Sequence, residues 1–149
     1  VKLGARKIIV NCFENCFFTY NIVIVMLPKI IFKNSLFILG FLIVAYFGFK
    51  DRLVALPMVQ ILFSSLFITE LIHHINFVTK LKTLLERFTE AVISEKEESR
   101  TLADAILLFL EYETTLAYNK APLSNTVYEE LNEKLSEDWE GIKKHYDIK

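Results

Sequence analysis

Glu70-Leu71-Ile72-His73 is a Glu-x-x-His pair. It sets a carboxylate and an imidazole one turn apart on one helix face, the spacing that bundle di-iron centres use in duplicate. Here the pair occurs once, and neither His74 nor His145 follows a glutamate by three residues, so a two-metal centre would need a symmetric partner chain. At the end of a membrane helix, polar residues meeting headgroups and water are the simpler reading. Glu70 and His73 are therefore minor metal candidates, and no cofactor is expected. Glu14 is the sharper feature. It stands in the apolar stretch Ile8 to Leu27 with Asn11, Asn15 and Asn21, and at 100° per residue the four project within about a third of the helix circumference. An ionisable group in an apolar segment is costly and marks a pathway, a helix contact or a water-filled face. The stripe then has three readings: a surface-lying helix with its polar side to water, the lining of a pore in an oligomer, or hydrogen-bonding glue between helices.

Other chemistries find little to work with. Cys12 and Cys16 lie four apart on neighbouring turns, which makes neither a disulfide nor a metal site. They read as small buried apolar residues, with acylation as the alternative if the stretch lies on the membrane surface. No Gly-x-Ser-x-Gly, Cys–His pair or phosphate loop occurs, so the chain is expected not to be an enzyme. Lys2, Arg6 and Lys7 before an apolar run imitate a signal peptide, but Asn11, Glu14 and Asn15 interrupt the run and no small-x-small site follows; a cleaved signal is not expected.

The elements that would position these residues divide the chain by environment. Residues up to Asn76 hold seven basic and three acidic groups, net +4, whereas Phe77 onward holds ten and fifteen, net −5. The acidic half would repel nucleic acid, so none is expected as a partner. Leu53 to Ile72 is twenty residues whose sole charge is Glu70, and about twenty apolar residues span a bilayer core. Before it, Leu36 to Phe49 is uncharged, and extending back to Ile30 gives twenty residues with Lys33 and Asn34 near the end; Lys33 can snorkel to the headgroups. The connection Lys50-Asp51-Arg52 is three residues long, which forces an antiparallel hairpin. The expected organisation is an amphipathic or third membrane helix over 1–29, a transmembrane hairpin over 30–76 and an acidic helical tail over 77–149. Basic residues flanking the spans favour two crossings with both termini cytoplasmic, in the cell inner membrane; a third crossing by Ile8 to Leu27 stays open.

In the tail, Phe77, Leu81, Leu84, Phe88 and Ala91 step by four and three, a helical stripe. Thr101 with Asp104 predicts a new helix start, carrying Leu102, Ile106, Phe109, Tyr112 and Leu116 and ending over Asn119 to Pro122. Thr126 with Glu129 predicts a further start, with Val127, Leu131 and Leu135 on one face, and Ser136 with Glu137 and Asp138 another, with Trp139, Ile142 and Tyr146. Leu102, Ile106, Phe109, Leu131, Leu135 and Trp139 are the expected tail core, its helices buried against one another. The fold class is all-α integral membrane.

Tyr112-Glu113-Thr114-Thr115-Leu116-Ala117-Tyr118, Ala121-Pro122-Leu123-Ser124-Asn125-Thr126-Val127-Tyr128, Leu131-Asn132 and Leu135-Ser136-Glu137-Asp138-Trp139 resemble tails of the SMODS-associated four-transmembrane effectors of bacterial cyclic-oligonucleotide defence systems. Those proteins carry two helical hairpins, whereas one clear hairpin is seen here. The resemblance implies a membrane-disrupting effector triggered by a nucleotide signal made by a partner encoded elsewhere, and it carries over no active-site residue. From the residues themselves, the expected function is a non-enzymatic membrane effector or adaptor that forms homo-oligomers in the lipid bilayer. An anchor for a soluble partner is the second reading, and a membrane-embedded metal enzyme on Glu70 and His73 the third.

Overall fold

The computed structural model describes residues 2–48, 57, 66–93, 98–119 and 123–148. Over these residues the chain is all helical, with α1 at Lys2–Gly48, α2 at Leu66–Ile93, α3 at Glu98–Asn119 and α4 at Asn125–His145. The connection Lys50 to Arg52 and most of the expected span Leu53 to Ile72 lie outside the described residues.

The two apolar stretches expected as separate helices, Ile8 to Leu27 and Ile30 to Phe49, are one. α1 runs for 47 residues with Pro28 inside it, about 70 Å at 1.5 Å per residue. Proline lacks an N–H, so the carbonyl of Ile24 loses its helical donor, which weakens a helix locally and commonly bends it. Here the helix persists through that point because the residues before Pro28 are held by three other helices.

Those residues form the core. Ala5, Ile9, Cys12, Phe13, Cys16 and Val23 of α1 are buried with Phe77, Leu81, Leu84 and Phe88 of α2, Ala105, Leu108 and Tyr112 of α3, and Trp139 of α4. α1 is the hub: α2, α3 and α4 all pack on it, α2 and α3 also pack on each other, and among the described residues α4 lies against α1 alone. Phe13 joins three helices, its ring stacked 6.2 Å from Phe88 and meeting Trp139 edge-on at 5.1 Å. Edge-to-face aromatic contacts add to plain apolar burial.

Polar contacts set the helix directions. The Cys16 thiol donates to the Leu81 carbonyl, the His74 Nε2–H donates to the Val23 carbonyl at 2.8 Å, and Lys33 pairs with Glu70, over sequence separations of 65, 51 and 37 residues. Partners that draw closer in sequence as α1 advances define an antiparallel α1–α2 pair. Arg87 pairs with Glu111 and Lys80 lies 5.1 Å over the Tyr118 ring, so α3 runs back along α2. α4 is antiparallel to α1, with Trp139 beside Phe13 and Val127 clustered with Ile22.

The expected stripe on α2 is realised, and His74 extends it by one turn. On α3 the buried face differs from the expected one: Ala105, Leu108, Tyr112 and Thr115 are buried, Leu102 and Leu116 are half-buried, and Ile106 and Phe109 are exposed, at 48% and 41%. Apolar residues cover most of this helix, so its spacing admits two seams. The seam that packs has small Ala105 and the hydroxyl of Tyr112, which donates to Thr19 while Thr19 donates to the Asn15 carbonyl at 2.7 Å.

On α4, Leu135 and Trp139 are buried and Leu131 half-buried, but their partner is α1, not α3. The two expected starts are one helix, capped by Ser124 through the Val127 N–H. Ser136 donates to the Asn132 carbonyl one turn back, the alternative use of a serine hydroxyl inside a helix. At the other end Asp147 takes a positive φ of 48° and the Ile148 N–H bonds the Lys143 carbonyl at 2.9 Å. This is the Schellman stop, which commonly brings an apolar residue back onto the helix; Ile148 is buried.

Beyond Pro28 the helix leaves the bundle. Ile31, Leu36, Ile38, Leu39, Leu42 and Ile43 are exposed, as are Phe32 at 71% and Tyr46 at 80%. α1 is the one described helix long and apolar enough to cross a membrane, over Gly4–Ile43.

Candidate functional site

The polar stripe of α1 does not lie on one open face, because α4 crosses it. Glu14 and Asn15 line a groove of about 440 Å³ on one side of α4, with Phe18, Thr19 and Ile22 of α1, Tyr112 of α3, Leu123 before α4, and Tyr128, Asn132 and Ser136 of α4. Asn21 lines a second groove, of about 420 Å³, with Phe17, Asp138, Gly141, Ile142, His145 and Tyr146. Asn11 is exposed. Asn21 donates to the Phe17 carbonyl at 2.8 Å, which satisfies its amide within its own helix. Within one copy the four residues are therefore divided over three surfaces, with Glu14 and Asn15 together.

The first groove has a polar and an apolar end. Because α4 is antiparallel to α1, Glu14, Asn15 and Ser136 fall towards the end remote from Pro28, the hydroxyls of Thr19 and Tyr112 with Asn132 in the middle, and Ile22, Tyr128 and Leu123 towards Pro28. Glu14 is half-buried, and its carboxylate has no hydrogen-bond or ion-pair partner among the described residues. Burial pushes the Tyr112 hydroxyl up to about 12, so at neutral pH it is the O–H donor that its bond to Thr19 requires.

Glu70 and His73 are not brought into a metal site. Both Glu70 oxygens accept from the Lys33 ammonium, at 2.9 and 2.7 Å, His73 is exposed, and no group of three or more His, Cys, Asp or Glu gathers among the described residues. The pair instead neutralises two charges beside the apolar half of α1. Cys12 and Cys16 are buried free thiols. Burial pushes Cys16 up to about 12, which leaves it neither nucleophilic nor open to acylation.

Two functional-looking groups escape a reading by type. His74 is buried, and its ring bonds the backbone just ahead of Pro28. Its position, three residues before Phe77 on the buried stripe, is the signal that places it inside. Asn34 is buried beyond Pro28 and donates to the Ile30 carbonyl at 2.8 Å, with its side-chain oxygen unpaired among the described residues. Buried amides of this kind hold membrane helices together when a neighbour supplies the partner. Compared with family models, curated proteins and solved structures, the chain matches none of them.

Proposed function

We propose that this is a non-enzymatic integral membrane protein, an effector or adaptor that acts through a bilayer hairpin and a water-facing helical bundle. The observation that carries the reading is the contrast along α1, whose first half is wrapped by three helices while residues 31–46 expose one apolar side chain after another. Apolar surface on this scale on one helix calls for lipid or another protein. Tyr46 near the far end suits a headgroup layer, and the Lys33–Glu70 pair suits the near edge.

The antiparallel α1–α2 contacts over the described residues support the hairpin expected from the sequence, with its two spans. Exposed Lys82, Glu86, Glu90, Glu113, Glu130 and Glu133 around the helices that cover Ile8 to Leu27 favour water over lipid there, and so speak against a third span. Both termini then lie on one side of the inner membrane, the cytoplasmic one by the distribution of basic residues. Triggering by a nucleotide signal rests on the resemblance of residues 112–139 to tails of the defence effectors, and oligomerisation on tail contacts made most simply with copies of the same chain. The second reading, an anchor for a soluble partner, is favoured by the exposed apolar seam of Ile106, Leu107 and Leu110 on α3.

Inducible expression with a membrane-potential dye tests the choice. The effector reading expects depolarisation and growth arrest on co-expression with an enzyme that makes the nucleotide signal. Unchanged potential together with retention of a soluble protein at the membrane would replace it with the anchor.

A further inference from the structure

We infer that the groove lined by α1 and α4, with Tyr112 of α3, is a binding site for a long-chain primary amine, an amphiphile whose ammonium head meets Glu14 and whose alkyl chain runs towards the bilayer. The inference rests on the bilayer reading of α1. At about 440 Å³ the groove falls within the roughly 300–1,000 Å³ of small-molecule sites, and its composition is graded along its length. The remote end has one carboxylate, Glu14, with the amide of Asn15 and the hydroxyl of Ser136; the end nearest the apolar half of α1 has Ile22, Leu123 and Tyr128. From Glu14 to Ile22 is about 12 Å along the helix at 1.5 Å per residue, enough to separate a polar head from an apolar chain.

The lining decides the sign of the head. Among the described residues it contains Glu14 and no lysine, arginine or histidine, so a phosphate at that end would meet a carboxylate, whereas an ammonium gains a charge-assisted hydrogen bond. Glu14 is half-buried and spends its carboxylate on no other group among the described residues. The alkyl chain points towards the end nearer Pro28, where Ile22, Leu123 and Tyr128 lie and beyond which α1 exposes its apolar residues. This also accounts for a glutamate in an apolar stretch whose neighbours on the stripe, Asn11 and Asn21, lie elsewhere.

The test uses the full chain in phosphatidylcholine nanodiscs, titrated calorimetrically with dodecylamine against empty discs. Saturable binding of one amine per chain is expected, weakened tenfold or more in Glu14→Gln and abolished by Asn132→Trp, which fills the groove. Dodecyl phosphate should not compete. Equal binding by wild type and Glu14→Gln, equal competition by dodecyl phosphate, or no saturable heat above empty discs would each overturn the proposal. Incorporation into discs is scored first by size exclusion. A chain that stays outside the discs refutes the bilayer reading, and the same titration in buffer then judges the groove separately.

Discussion

Trp139→Ala is expected to detach α4 from the bundle. The indole is 2% exposed and is held edge-on by Phe13 at 5.1 Å and tilted on Phe17 at 5.9 Å. Truncating a packed aromatic of this size costs about 3 to 5 kcal/mol. Because α4 packs on α1 alone among the described residues, that loss falls on one docking surface and not on a shared core. Hydrogen exchange on the full chain should therefore show protection lost over 125–145 and kept over 77–91. Trp139→Phe is a useful companion. The indole N–H is buried with no partner among the described residues, and a buried orphan donor costs about 1 to 3 kcal/mol, so removing it offsets part of the lost packing and α4 should stay docked. Protection unchanged in Trp139→Ala would remove the α1–α4 contact from the account. A fragment starting at Leu102 makes a poor substitute for the full chain, since it lacks the helix on which α4 rests.

The second large effect is expected at Leu39, which is 55% exposed in the middle of the apolar half of α1. Arginine at the centre of a membrane helix costs about 2.5 to 3.5 kcal/mol on insertion scales, roughly a hundredfold in the membrane-bound fraction. Leu39→Arg should move the chain from the carbonate-resistant membrane pellet to the soluble or degraded fraction. Thr114→Arg, on the exposed face of α3, adds the same charge to the bundle and should leave the chain in the pellet. Equal extraction of the two variants would mean that the apolar half of α1 faces something other than lipid.

The all-helical class was legible from periodicity, and so was the buried stripe of α2, because Phe77, Leu81, Leu84 and Phe88 stand among polar neighbours that leave one choice of face. α3 was not legible in the same way. With Ala105, Ile106, Leu107, Leu108, Phe109 and Leu110 in one run, spacing cannot choose between seams, and the choice is made across the interface by the Tyr112–Thr19 hydrogen bond. The continuity of α1 from Ile8 to Leu27 into the next apolar stretch was not legible, because the helices that hold the turns before Pro28 come from distant parts of the chain. The stripe at Glu14 was visible as a set of residue types, but its division between two grooves depends on where α4 crosses, and no feature within Ile8 to Leu27 encodes that. The partner of Glu70 was hidden for the opposite reason: the nearby His73 drew attention, while Lys33 lies 37 residues away in sequence.

The central claim, that α1 passes from a water-facing bundle into lipid, is tested most directly by a nitroxide scan of the full chain in vesicles, with Cys12 and Cys16 first replaced by alanine. Labels at Phe32, Leu36, Leu39 and Ile43 should relax faster with oxygen than with a water-soluble nickel complex, with the greatest depth near Leu39. Labels at Asn11, Thr114 and Glu133 should show the reverse. Nickel access at Leu36 to Ile43 equal to that at Glu133 would contradict the account.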